Sequence, residues 1–156
     1  MTTTVIIGGV AGGMSTATRL RRNDENMNIV VYEASGNVSF ANCGLPYHVG
    51  EVIENRDDLL LQTPQSLKDR FNLDVRVNTR VTSIDRENKT VTDSEGNAQE
   101  YDYLVLSPGA HPIMPPISGI NNALTLRTVE DMDTIKSQLG DAKTSVIIGG
   151  GFIGLE

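Results

Sequence analysis

Apolar and polar positions alternate along the chain so as to predict short strands and a few amphipathic helices. Thr4 to Ile7 is a β-branched run entering glycines, and Met14 to Arg22 follows with Ala17 and Leu20 spaced for one apolar helical face. Asn28 to Tyr32 is a second apolar strand, ending at Glu33. Strand, glycine turn, helix and strand make a βαβ unit of about 30 residues. Between Asn37 and Gly50, the residues Gly44, Pro46 and Gly50 predict an irregular loop around at most a short helix. Thr63 and Pro64 then predict the N-cap and first position of a helix reaching about Asn72.

Strand patterns recur at Asp74 to Val77, Arg80 to Asp85, Thr90 to Asp93 and Glu100 to Tyr103, with polar turns at 86–89 and 94–97. An antiparallel meander is the simplest arrangement. Leu104 to Leu106 predicts a buried strand meeting Ser107-Pro108-Gly109, and Pro112, Pro115 and Pro116 stiffen the connection that follows. Thr128, with Asp131 three residues on, predicts the start of a helix ending at Leu139. Ser145 to Ile148 predicts a strand running into Gly149-Gly150-Gly151-Phe152-Ile153-Gly154. The expected fold is α/β: a doubly wound, Rossmann-like nucleotide-binding domain with an antiparallel β-meander, then the start of a second such unit. Expected boundaries are 1–112 for the first domain, incomplete, 113–127 for a linker and 128–156 for the beginning of the second.

Composition narrows the function. The 156 residues carry a formal charge of -7, so no basic face dominates, which argues against nucleic acid or an anionic membrane surface as partner. No apolar run approaches the roughly 20 residues of a membrane span, and no signal peptide precedes the first strand. The expectation is a soluble, cytoplasmic protein with no metal site. The one cysteine, Cys43, has no partner within the chain, so its chemistry would involve a cofactor, a substrate or another chain.

A strand entering glycines and then a helix lets backbone approach a pyrophosphate, whose charge meets the open N–H groups of the helix. Gly8-Gly9-Val10-Ala11-Gly12-Gly13 is such a turn, with Val10 in the place of the second glycine, and Glu33 is placed to accept hydrogen bonds from an adenosine ribose. Gly149, Gly151 and Gly154 keep the pattern in full, but their acidic partner would lie beyond Glu156, so a piece of a longer protein is expected. From its surroundings alone, Cys43 reads either as a small buried residue or as a reactive thiol beside Ser39, Asn42 and Gly44. His48 reads as a structural histidine rather than a base. Arg19, Arg21 and Arg22 read either as helix C-terminal charge or as a phosphate site.

Taken together, the glycine turns, Ser39-Phe40-Ala41-Asn42-Cys43-Gly44-Leu45-Pro46-Tyr47 and Tyr101-Asp102-Tyr103-Leu104-Val105-Leu106-Ser107-Pro108-Gly109 resemble the flavin-dependent pyridine nucleotide-disulfide oxidoreductases. The resemblance covers the whole chain and is nearest to the single-cysteine branch of coenzyme A-disulfide reductases and NADH-dependent persulfide reductases. Val10 fits the flavin turn of that branch. The resemblance implies FAD, NADH or NADPH, and coenzyme A as substrate or mixed disulfide, with electrons passing from NAD(P)H through FAD to Cys43. It implies FAD contacts along Gly8, Gly9, Val10, Ala11, Gly12, Gly13, Glu33, Asn42, Val81, Ser107, Pro108 and Gly109, and NAD(P) contacts at Gly149, Gly151 and Gly154. Coenzyme A would meet Ser15, Arg19, Arg22, Ser39 and Asn42, and the Cys43 thiolate would be favoured by flavin, a helix N-terminus and Asn42. The whole protein is expected to be a homodimer acting on a small thiol or disulfide.

Two rivals remain. NADH oxidases and peroxidases hold the equivalent cysteine as a sulfenic acid, but they carry a histidine where this chain has Ala11, which has no proton to offer a peroxide. Alternatively, the chain by itself is an inactive nucleotide-binding remnant.

Overall fold

The structure is a computed structural model that describes residues 1–140 and 142–155; Glu156, the last residue of the second glycine segment, lies outside them. Its strands are β1 (Thr3–Ile7), β2 (Asn28–Tyr32), β3 (Asp74–Arg76), β4 (Val81–Asp85), β5 (Thr90–Asp93), β6 (Ala98–Glu100) and β7 (Tyr103–Leu106). Its helices are α1 (Ala11–Asn23), α2 (Leu45–Val49), α3 (Pro64–Phe71), α4 (Val129–Leu139) and α5 (Phe152–Leu155), with short 3-10 turns at Asn42–Gly44, Arg56–Leu59 and Ile120–Asn122. They form two compact units, residues 1–40 with 60–109, and residues 41–59 with 110–156.

The first unit is the expected α/β domain. A parallel sheet in the order β3-β2-β1-β7 is joined by an antiparallel meander in the order β4-β5-β6. Alternation along β1 and β2 sends Ile6, Ile29 and Val31 to one face, where Met14, Ala17, Leu67 and Leu73 bury them. Val5, Val30 and Tyr32 go to the other face and meet Val91 of the meander. With both faces covered, the strands read as continuous apolar runs. Each such side chain contributes roughly 1.5–3 kcal/mol by leaving water.

Arg21 completes this core, and it is no phosphate ligand. Its buried guanidinium donates to the carbonyls of Glu25 (2.7 Å), Phe71 (2.8 Å), Asn72 (3.0 Å) and Asp24 (3.2 Å). It thereby satisfies carbonyls at the C-terminal ends of α1 and α3, which those helices leave unpaired.

The second unit gathers the 41–59 segment and α4. Leu45, Leu59, Val129 and Met132 are buried. At the start of α4, Thr128 accepts from the Asp131 N–H at 3.2 Å and Asp131 accepts from the Thr128 N–H at 2.9 Å.

Four expectations need correction. Asp74–Arg76 pairs with β2 in the parallel sheet rather than joining the meander, because the adjacent Val75 and Val77 pack with the α1/α3 cluster. Glu100 to Tyr103 is not one strand: β6 stops at Glu100 and β7 starts at Tyr103, while the intervening Asp102 accepts the Thr3 N–H at 2.7 Å. β7 is not buried, since β1 is its one neighbour in the sheet among the described residues, and Tyr103 and Leu106 are 64% and 60% exposed. Residues 145–148 form no strand, and Val146, Ile147 and Ile148 are exposed. A strand needs a neighbour to satisfy its backbone, and no described strand pairs with this segment.

Candidate functional site

In the first unit, β1 is central: β2 and β7 flank it on opposite sides, all three parallel. The C-terminal ends of such strands form the crevice in which open α/β sheets bind ligands. All three ends carry residues singled out in the sequence.

Gly8 leaves β1 with φ +105°, which a side chain rarely adopts, and a Cβ there would stand 1.9 Å from the Ser107 carbonyl oxygen. A Cβ on Gly13 would stand 1.7 Å from the Gly8 carbonyl oxygen. The turn folds so tightly that only hydrogen fits at both positions. Val10 precedes α1 without capping it, and no side chain caps this helix among the described residues. Ala11 and Gly12 are exposed at its first turn. The result is a backbone cradle ending in uncapped N–H groups, the arrangement that meets a pyrophosphate.

Glu33, just past β2, holds this cradle from the side. One carboxylate oxygen accepts the Gly9 N–H at 2.8 Å, and the other accepts the Ser35 N–H and hydroxyl, each at 2.8 Å. A carboxylate has about four acceptor positions, so room for a ribose hydroxyl remains. Ser39, at φ +47°, donates its N–H to the Gly9 carbonyl at 3.1 Å. Ser107 donates its N–H to Ile7 at 2.8 Å, and its Oγ lies 3.1 Å from where a Gly12 Cβ would be. Val81 lines a cleft of about 360 Å³ with Ile7, Leu106 and Pro108. Gly109 follows at φ +72°. On α1, Ser15, Arg19 and Arg22 are exposed, spaced to share a helical face.

In the second unit, Asn42, Cys43 and Gly44 form a 3-10 turn leading directly into α2. Cys43 is exposed, Asn42 half-buried and Gly44 buried. His48 is 5% exposed, and its Nδ1 donates to the Ile53 carbonyl at 2.7 Å, which fits a structural histidine.

The second glycine turn repeats the first at the level of backbone. Gly149 has φ +106°; a Gly154 Cβ would stand 2.5 Å from the Gly149 carbonyl oxygen and 3.1 Å from Ile147 Cγ2. Gly8, Gly13 and Ile6 make the same contacts in the same order and spacing. Gly150 and Gly151 meet nothing within 4 Å.

The structure thus gathers Gly8, Gly9, Gly12, Gly13, Glu33, Ser39 and Ser107 in one unit and Asn42, Cys43 and the second turn in the other. Sequence reasoning missed Ser35 and Val38, which fix Glu33 and crowd Gly9, and Leu59, which packs on Gly44. A serine two residues after an acid is a local turn signal that points to Ser35. Leu59 carries no such signal.

Comparison with known proteins gives a consistent neighbourhood. A family model described as pyridine nucleotide-disulphide oxidoreductase matches residues 2–156. An NADH oxidase of Methanocaldococcus jannaschii is 35% identical over 97% of this chain and 36% of its own length. A coenzyme A disulfide reductase of Staphylococcus aureus is 36% identical over 97% of this chain and 36% of its own. The solved structure of an NAD-dependent persulfide reductase from A. fulgidus superposes with TM-score 0.93 at 39% identity, covering 98% of this chain and 30% of that one. The chain therefore spans about a third of the length of the curated relatives it matches.

Proposed function

The chain belongs to the pyridine nucleotide-disulphide oxidoreductase family, and from that premise we propose that the whole protein reduces a disulfide or persulfide of coenzyme A, or of a related small thiol, through Cys43. The observation that carries this reading is the exposed thiol of Cys43 at the head of α2, in a turn whose Ala41 and Gly44 are held by backbone hydrogen bonds and, at Gly44, by packing.

The residues present fit FAD. The Gly8–Gly13 cradle would take its pyrophosphate, Glu33 its ribose, and Val81, Ser107, Pro108 and Gly109 the remainder of its path, with Asn42 beside the flavin. FAD, when bound, supplies two electrons obtained as hydride from NAD(P)H. Gly149, Gly151 and Gly154 would receive the dinucleotide. In this reading residues 1–112 are the N-terminal part of the FAD domain, 113–127 a linker and 128–156 the start of the NAD(P) domain.

Cys43 acts as the thiolate. It attacks one sulfur of the substrate disulfide, forming a mixed disulfide and expelling one thiolate. Two electrons and a proton then cleave that bond, releasing the second thiol and restoring Cys43. Arg19 and Arg22 offer guanidinium forks suited to the phosphates of coenzyme A, and Ser15, Ser39 and Asn42 offer polar contacts. The whole protein works as a homodimer.

The Methanocaldococcus relative supports a second reading, in which Cys43 is held as a sulfenic acid and the protein is an NADH oxidase or peroxidase. Ala11 weighs against it, because an exposed methyl at the first position of α1 provides no general acid. The test is Cys43→Ser in the full-length protein. Disulfide or persulfide reduction is expected to vanish while bleaching of the flavin by NAD(P)H persists; unimpaired turnover contradicts the proposal.

A further inference from the structure

We propose that Arg56, Asp133 and Lys136 are positioning residues for Cys43, through which α4 braces the segment that carries the thiol. This rests on the reading of Cys43 as the reacting sulfur.

Leu59 grips the cysteine turn on both sides. Its carbonyl accepts the Ala41 N–H at 2.9 Å, two residues before Cys43. Its side chain lies so close to Gly44, the residue after Cys43, that a Cβ there would stand 2.5 Å from Leu59 Cδ2. The Gly44 N–H in turn donates to Ala41 at 2.9 Å, closing the turn around the thiol. Wherever Leu59 goes, the backbone of Cys43 follows.

Leu59 ends the Arg56–Leu59 turn, and Arg56 begins it. Arg56 Nε and Nη2 donate to the two carboxylate oxygens of Asp133, each at 2.8 Å. Two parallel bonds from a planar fork fix orientation as well as distance. The other limb of the segment is held too: His48 Nδ1 donates to the Ile53 carbonyl at 2.7 Å, and the His48 carbonyl accepts from Lys136 Nζ at 3.1 Å. Asp133 and Lys136 are three residues apart and share a face of α4. Val129 and Met132 already supply the buried apolar contacts of that helix. The charged pair therefore adds direction to a contact that apolar burial alone would leave free to slide.

The test uses the full-length protein, its Cys43 freed by a thiol reductant that is then removed, with Arg56→Ala, Asp133→Ala, Arg56→Lys and the exchanged pair Arg56→Asp with Asp133→Arg. Three quantities are read well below the unfolding temperature: the iodoacetamide alkylation rate of Cys43, amide exchange of peptide 41–47 against peptide 28–32, and kcat and KM for the disulfide. The alanine variants are expected to alkylate about fivefold faster, the scale of a partly exposed ion pair. Exchange should rise in 41–47 but not in 28–32, and kcat should fall while KM holds. Arg56→Lys, which keeps the charge and loses the fork, should lie between, and the exchanged pair should recover most of the effect. A fall in thermal stability with all three quantities within twofold of the parent overturns the proposal. Alkylation and exchange need no turnover, so they decide it even if Cys43→Ser leaves activity intact.

Discussion

At the scale of single residues, the glycines of the first turn are defined by what a methyl would strike. Gly13→Ala places Cβ 1.7 Å from a backbone oxygen that no rotamer can move. It should cost about 3 kcal/mol, at the upper end of overpacking. Gly50→Ala, whose Cβ would meet its nearest atom at an ordinary 3.5 Å, should change stability little; urea unfolding of the two variants checks the contrast. Charge gives a second prediction. The Arg56 hydrogen bond holds the Asp133 carboxyl below its usual range. A depressed carboxylate contributes stability above the unfolded value, near 3.9, that is lost as pH falls through the lower folded value. A carbon-detected NMR titration of Asp133 should therefore show a midpoint below about 3.9, returning to the ordinary value in Arg56→Ala; an ordinary midpoint in both proteins refutes the coupling.

The tight glycine turn and the helix start after it were legible because both are local, and Glu33 was singled out by its distance from that turn, which the structure shows it bonding. Arg21 was not, because its four carbonyl partners lie at the C-terminal ends of two helices, two of those carbonyls being 50 and 51 residues away in sequence. Leu59 was invisible for a similar reason, since one leucine looks like any other until the chain brings it against Gly44.

Among the elements, those with local start signals came out of the sequence nearly intact. Thr63 and Thr128 each precede a helix and each accepts the N–H three residues on, with the bond returned by Ser66 or Asp131. Thr63→Ala and Thr128→Ala should each cost about 1 kcal/mol, and the double variant about the sum, as the two caps share no hydrogen-bond partner; thermal unfolding measures both, and no loss in either refutes the caps. Elements that depend on neighbours were harder. Asp74–Arg76 reads as a strand, but nothing within it says which sheet it joins. The 145–148 segment has a strand's composition without a strand's partner, so composition alone misleads there. The break at Tyr101 and Asp102 was missed because its cause, the Asp102 carboxylate on the Thr3 N–H, spans 99 residues.

For the whole molecule, the sequence carried the architecture because the chain repeats one device twice, a tight glycine turn built on the same backbone contacts. It also singled out Cys43, which the structure leaves exposed. Among the described residues, no helix is long and apolar enough to cross a membrane. The chain matches about a third of its curated relatives' length, so the proposed activity is tested on the full-length protein. The deciding measurement is the intact mass of the natively purified full-length protein under non-reducing conditions, with the modified residue located by peptide mapping. A reducible adduct of coenzyme A mass on Cys43 is the predicted result. An added oxygen on Cys43 with no thiol adduct contradicts the account and favours the oxidase or peroxidase.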